Sequence, residues 1–329
     1  MNKVDIIYES LNRFSFLKSK IESLRSLRIL YYHRINYKLD NYYFDTGISL
    51  DTFKKQILYF KYKYKIISLS KAIKKAENGE SLQGYMVITF DDGFAECYTY
   101  IYPFLKEHNI PATYYLIENT LNNKDLMWRN KLVAIENIIT PKKKKLIVNQ
   151  LAEKQSRELD LSKSLLEISN LWEMKEKDEL ANFLWNQAQI GTLEGYLAEY
   201  QPYLMDSQVF EMLENNQEIG SHTNTHPFCS KLSKEEVYNE IILSVKSLNN
   251  KFDSTIQSLS YPFGDRASEE MEQYIMDNTN INTFLGIEDR VSNSENKAKW
   301  ERVGLEKEYN RSMIAFYLKP FINKIRYNF

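Results

Sequence analysis

VITFDDGFAECYTYIYPFLKEHNIPATYYL, residues 87–116, packs a strand, a sharp turn, a helix and a second strand into one stretch. The apolar, β-branched run MVITF (86–90) stops at Asp91-Asp92-Gly93, a helix is expected over about 96–108, and ATYYLI (112–117) is the next strand. A strand buried on both faces carries an apolar run without polar alternation, and a helical crossover leaves its two flanking strands parallel.

The same alternation extends in both directions. LRILYYH (27–33) reads as a buried strand, 51–60 as a helix with Phe53, Ile57 and Phe60 on one face, 64–68 as a strand, and 70–77 as a helix ended by Asn78-Gly79. Downstream come QEIGSH (217–222), a helix over 234–249, TIQSLSY (255–261), a helix over 268–278, INTFLGI (281–287), and a last strand over 300–305. About seven strand–helix units in one chain predict an α/β barrel of parallel strands. Residues 119–207 break the pattern: they are charged, helical and poor in strand signal, so they read as a helical insertion, with packing as the default role of Trp128, Trp172 and Trp185. No period of 20–50 residues recurs, which excludes a solenoid.

Bulk properties narrow the function. The 329 residues suit a single large domain, and 43 Lys+Arg against 44 Asp+Glu leave no basic excess for a nucleic-acid partner. Cys97 and Cys229 lack CxxC spacing, so two free thiols are expected. Residues 1–25 form a basic amphipathic pattern without the apolar core of a signal peptide, and no stretch is long enough to span a bilayer. The expectation is a helix packed on the domain, compatible with a peripheral membrane-surface contact, in a cytoplasmic protein that can associate with the inner membrane face.

Three motifs stand at expected strand ends: TFDDG (89–93), SHTNTH (221–226) and SYPFG (260–264). Parallel barrel strands open their C-terminal ends onto one mouth, which would bring these motifs together. His222 and His226 are two of only four histidines, and imidazole is the commonest metal ligand. A catalytic divalent metal takes three protein ligands. The third would be a carboxylate, Asp91 or Asp92, with the neighbour left to handle protons. Singly, each motif has a plainer reading: HxxxH as two polar residues on a helix face, DDG and SYPFG as turns. An iron oxygenase would use a similar triad, but would leave the second Asp and SYPFG unexplained.

The stretches 87–116, EIGSHTNTHP (218–227) and LSYPFGD (259–265) resemble the polysaccharide deacetylases of the NodB-homology type, carbohydrate esterase family 4. The resemblance spans roughly residues 27–305, interrupted at 119–207. It implies the family's distorted (β/α)7 barrel, with Asp91 as catalytic base and Asp92, His222 and His226 as metal ligands. The metal would be zinc, with cobalt, nickel or iron as alternatives. The substrate would be an N-acetylated carbohydrate in cell-surface polysaccharide assembly.

Two departures refine the resemblance. Many members carry an arginine before the proline motif, where this chain has Ser260-Tyr261; Arg302 in WERVGL is the candidate substitute, or else a surface arginine. Many members end on a histidine that acts as general acid, yet no histidine follows His226. YYHRI (31–35) instead resembles the YH motif of the circularly permuted poly-N-acetylglucosamine deacetylases, which makes His33 the expected acid, the alternative being a hydrogen-bonded core histidine. Tyr261, Phe263 and Arg302 are the expected substrate and oxyanion contacts, and His108 has no assigned role. The expected activity is metal-dependent N-deacetylation of an amino sugar. An O-acetyl esterase and an inactive carbohydrate-binding relative are the alternatives.

Overall fold

The computed structural model describes residues 27–36, 47–288 and 299–307, together with positions 309, 312 and 316. The helix expected over residues 1–25 lies outside the described residues. The strands are β1 (Arg28–Tyr32), β2 (Ile35–Asn36), β3 (Ile48–Ser49), β4 (Lys65–Ile66), β5 (Tyr85–Phe90), β6 (Thr113–Leu116), β7 (Glu218–Ser221), β8 (Ser258–Ser260), β9 (Thr283–Gly286), β10 (Lys299–Glu301) and β11 (Val303–Gly304).

The main sheet runs β10-β9-β8-β7-β6-β5-β1-β11, and every pairing in it is parallel. Only Arg302 separates β10 from β11. β10 pairs with β9 (Trp300↔Leu285) and β11 with β1 (Val303↔Leu30), so together they form one stave that closes the barrel. The expected strand over 300–305 is thus this broken stave. β4 pairs with the start of β5 (Lys65↔Tyr85), and β6 takes the same side farther along (Thr113↔Thr89). The short pair β2–β3 has no counterpart in the strands expected from the sequence.

Strand alternation sorts the core. Leu30, Tyr32, Ile88, Phe90, Tyr114 and Phe284 face outward and join the main cluster with Phe53, Ile57 and Phe60 of α1 (Leu50–Lys63), whose N-terminus Ser49 caps. Ile29, Val87, Tyr115, Leu285 and Trp300, on the opposite parity, pack with Leu69, Ala72 and Ile73 of α2 (Leu69–Glu77), which plugs one end of the barrel. The same inward parity, continued toward the other end, carries Tyr31, Thr89 and Arg302.

Helices cover the outside. The stretch after Gly93 starts as a π-helical turn, Cys97–Ile101, and continues as α3 (Tyr102–Glu107). Between β6 and β7 run α4 (Trp128–Ile138), α5 (Pro141–Lys154), α6 (Leu165–Ser169), α7 (Lys177–Ala188), α8 (Leu193–Tyr200) and α9 (Asp206–Glu214). The first five share their own apolar cluster, built on Trp128, Leu132, Ile135, Trp172, Leu184 and Trp185 and joined to Phe94 and Ile117 of the barrel; α9 instead adds Val209 and Met212 to the main core. α10 (Lys234–Val237), a second π-helical turn (Tyr238–Ile242), α11 (Leu243–Phe252) and α12 (Glu269–Asn278) complete the shell. Cys97 and Cys229 are buried and free. Among the described residues no helix is long and apolar enough to cross a membrane.

Candidate active site

The three motifs meet at one mouth because β5, β7 and β8 end there together. Each turn leaves its strand through a left-handed residue: Asp92 (φ 70), Gly93 (φ 66), Thr223 (φ 68), His226 (φ 62), Phe263 (φ 59) and Gly264 (φ 69). Asp, Thr, His and Phe adopt this region only where surrounding contacts impose it, and such residues concentrate at working sites. At Gly93 any side chain would also press on Leu116.

Asp92, His222 and His226 converge and are all buried. Asp92 Oδ1 lies 3.3 Å from His222 Nε2 and 3.4 Å from His226 Nε2, and the two Nε2 atoms are 3.2 Å apart. His222 Nδ1–H donates to the Ser260 carbonyl at 2.7 Å, which turns the Nε2 lone pair toward the cluster. Burial pushes the His226 imidazole down to about 4, with the Asp92 carboxylate opposing only in part, so it is neutral near pH 7. Burial raises Asp92, but the close approach of the His222 and His226 imidazoles, with the His33 charge, together outweigh it and hold the carboxyl well below its usual range. Asp92 Oδ1 nonetheless accepts no full hydrogen bond among the described residues. Two imidazole nitrogens and a carboxylate oxygen crowded this way could hold one cation between them. A tetrahedral zinc-like ion with ligands at about 2.0–2.1 Å would hold donor atoms about 3.3 Å apart. The observed spacings match, so the triad fits a divalent metal.

Asp91 sits beside the triad on the inward parity of β5. Arg302 Nη1 donates to its Oδ1 at 2.7 Å and Nη2 to its Oδ2 at 2.8 Å, a bidentate pair. The remaining Arg302 donors reach Thr89 Oγ1, Ser260 Oγ and the Gly286 carbonyl. Arg302 is fully buried under Tyr31 and Tyr115, with no donor left for a substrate, so its place is beneath Asp91 and not in the oxyanion contact set. Burial raises the Asp91 carboxyl, but the charge and hydrogen bonds of Arg302, with the nearby His222 and His33, together outweigh it, and the net shift is downward.

His33 follows β1, whose Tyr32 carbonyl accepts from Asp91 N–H at 2.8 Å, so His33 and Asp91 are neighbours on adjacent staves. Its Nδ1 lies 2.7 Å from Glu306 Oε2, and its backbone N–H donates to Glu306 Oε1 at 2.5 Å. Burial lowers the imidazole, but Glu306, aided by Asp92 and Asp91, more than offsets this and raises it to about 10. Glu306 escaped the sequence reading: it is one acid among many, and nothing but barrel closure brings it to His33.

Phe263 and Tyr261 part company. The Phe263 ring stands edge-on to His226 at 4.5 Å. Tyr261 turns outward, its hydroxyl donating to Glu272 on α12 at 3.0 Å and its N–H to the Leu285 carbonyl at 3.1 Å. With both donors engaged, Tyr261 supplies no oxyanion contact, contrary to expectation; residues of successive parity at a strand end point to opposite faces.

The helical segment also reaches the triad. Trp128 Nε1–H donates to the His226 carbonyl at 2.9 Å, and the buried Lys177 ammonium donates to Thr225 Oγ1 at 2.5 Å. Lys177 is neutralised by Asp178 at 2.6 Å, and Glu240 Oε2 accepts from Thr225 N–H at 2.9 Å. These contacts hold the left-handed turn that aims His226. Trp128→Phe keeps an aromatic ring but removes the donor, and is expected to weaken zinc binding by about tenfold or more. Competition with a chromophoric chelator measures this, with circular dichroism to show the fold retained; unchanged affinity would refute the link.

The polysaccharide deacetylase family model matches residues 78–279, well over half of the chain. It stops short of β1 and of the closing stave. No curated protein matches by sequence. The fold is similar to Streptococcus pyogenes deacetylase PplD, solved in complex with acetate (15% identity, 89% of this chain and 98% of that chain covered, TM-score 0.58). It is also similar to IcaB from Ammonifex degensii (14%, 89% and 97%, 0.55) and to a de-N-acetylase from Aggregatibacter actinomycetemcomitans (17%, 84% and 94%, 0.53). At these identities the likeness concerns the fold, a nearly closed parallel barrel with a helical shell. With a family model spanning both the DDG and the HTNTH motifs, the chain belongs to the polysaccharide deacetylase family.

Proposed function

We propose that the protein hydrolyses N-acetyl groups of an amino sugar carried in a polysaccharide, a glycolipid or a sugar precursor, releasing acetate. The observation that carries this reading is the placing of Asp91, gripped by Arg302, and His33, gripped by Glu306, on neighbouring staves beside the Asp-His-His triad. Amide hydrolysis needs both a base and an acid, because the amine leaves only with a proton. The solved neighbours described as a de-N-acetylase and as a deacetylase with acetate support it.

Asp92, His222 and His226 would hold the metal, zinc by preference, with cobalt, nickel or iron also suited to the donor set. When bound, it supplies Lewis-acid polarisation of the acetyl carbonyl and acidifies a water molecule. Asp91 takes the proton from the attacking water. Arg302 occupies one lone pair on each of its oxygens, and the single Ser260 hydroxyl proton, 3.4 Å from both, can take only one more, so a lone pair is left to accept while the carboxylate is held in place. His33 hands a proton from Nε2 to the leaving nitrogen while Glu306 holds Nδ1–H. The Phe263 backbone N–H, in the turn against His226, is the protein donor assigned to the oxyanion.

Acetate release from N-acetylglucosamine oligomers and from acetylated xylan, by zinc-loaded and by chelated protein, tests the reading. Release from the N-acetyl oligomers that disappears on chelation and returns with zinc is the expected result. Release from xylan alone would make the protein an O-acetyl esterase. Bound zinc with no release from either would favour an inactive carbohydrate-binding relative.

A further inference from the structure

Buried and half-buried cations of this chain generally meet carboxylates: Lys131 pairs with Asp125, Lys177 with Asp178, Arg266 with Glu272 and Glu301, and Arg302 with Asp91. Arg129 does not. Half-buried on α4, beside the Trp128 that holds His226, it makes no ion pair or hydrogen bond among the described residues. Its guanidinium carbon lies over the Phe263 ring at 4.7 Å and near Trp128 at 5.5 Å. Burial, with no acid to compensate, holds that guanidinium below its usual range. Phe263 in turn stands against His226 at 4.5 Å and against Phe228 at 4.5 Å, and the exposed Lys231 lies over Phe228 at 5.1 Å, donating to the Asn170 carbonyl at 3.4 Å but meeting no carboxylate among the described residues. The acid of this turn, Asp265, is engaged elsewhere, accepting from Ser230 N–H at 2.7 Å and Ser230 Oγ–H at 2.9 Å.

Two half-buried phenyl rings, each beside a cation that meets no carboxylate among the described residues, thus extend from one metal-ligand candidate. Phenyl faces stack on the apolar face of a sugar ring, and a planar guanidinium offers paired donors to a carboxylate or phosphate. We propose that Arg129, with Lys231 across the Phe228–Phe263 pair, forms a subsite for an anionic group, a carboxylate or a phosphate, on the saccharide next to the acetamido group. The placing of the saccharide rests on the deacetylase reading above. Its consequence is selectivity for an acidic saccharide over a neutral one.

The test is calorimetric titration of the zinc-loaded full chain with glucose 1-phosphate, methyl glucuronide and methyl glucoside. None carries an acetyl group, so none is consumed. Wild type is expected to bind at least one charged probe about tenfold more tightly than methyl glucoside, as charge-assisted bidentate contacts would give. Which charged probe wins separates phosphate from carboxylate. R129Q, with zinc content unchanged, is expected to lose the preference, and R129K to keep part of it. No preference in wild type, or the same preference in R129Q because the metal itself takes the anion, overturns the proposal. Acetate release from an N-acetylglucosamine oligomer by the same preparation reports on the parent reading separately. Release without charge preference sinks only the subsite; charge preference without release sinks only the deacetylase.

Discussion

Arg302→Met is expected to unfold about 3–5 kcal/mol more easily than wild type at neutral pH, the usual cost of leaving one member of a buried ion pair uncompensated. The deficit should shrink as pH falls below about 4. The sign follows from Asp91, whose carboxyl burial would raise but which Arg302, as the largest lowering influence, with His222 and His33, holds below its ordinary value of 3.8. A depressed carboxyl contributes stability that is present above its unfolded pKa and lost as pH falls through its folded pKa. Without the guanidinium, burial is opposed only by His222 and His33, so the Asp91 carboxyl rises, which costs most where the unfolded chain would be ionised. Urea denaturation of metal-free protein at pH 7 and near pH 3.5 measures both ends. An equal deficit at both would show that Arg302 does something other than keep Asp91 ionised. Arg302→Lys should recover little, because one ammonium cannot donate to both Asp91 oxygens, Thr89, Ser260 and the Gly286 carbonyl together.

His33→Ala is expected to keep its zinc and to lose about 10²–10⁴-fold in turnover, the typical worth of a positioned general acid. Normal turnover would remove His33 from the mechanism and leave it a structural histidine. Glu306→Gln gives the finer test. An imidazole raised to about 10 donates its proton at neutral pH and fails as pH climbs through that value, so the wild-type alkaline limb should lie near 10. Removing the Glu306 carboxylate leaves burial opposed only by Asp92 and Asp91, so the imidazole falls. The limb should then move to lower pH. An unmoved limb in Glu306→Gln would assign that limb to another group. The same shift has a stability side: the His33–Glu306 pair contributes fully below the unfolded value and loses its contribution as pH rises through the folded one.

The local chemistry was legible in the sequence to the extent that it was sequential. TFDDG and SHTNTH each carry their groups at the end of an apolar run, so the triad and its neighbouring Asp91 could be placed at strand ends without coordinates. Arg302 and His33 were legible only as candidates, since they meet their partners across 211 and 273 residues of chain. Glu306, Trp128 and Lys177 were not legible at all. They stand 273, 98 and 48 residues from the groups they contact. Tyr261 was misplaced for a local reason, because strand parity sends alternate side chains to opposite faces and the turn after Ser260 keeps that parity.

The sequence by itself determined the parallel α/β architecture, because buried two-faced strands and amphipathic helices leave periodic apolar patterns that need no partner to be read. It also offered the donor types of the candidate metal centre, because two of the chain's four histidines and the paired Asp91-Asp92 carboxylates fall at expected strand ends. Only the tertiary structure decided which charges meet. Barrel closure through the stave broken at Arg302 seats the guanidinium under Asp91 and swings Glu306 onto His33. Docking of the helical segment lays Trp128 and Arg129 against the metal-ligand turn. These pairings depend on distance in space, where electrostatic and hydrogen-bond energies act, and distance along the chain carries no trace of them.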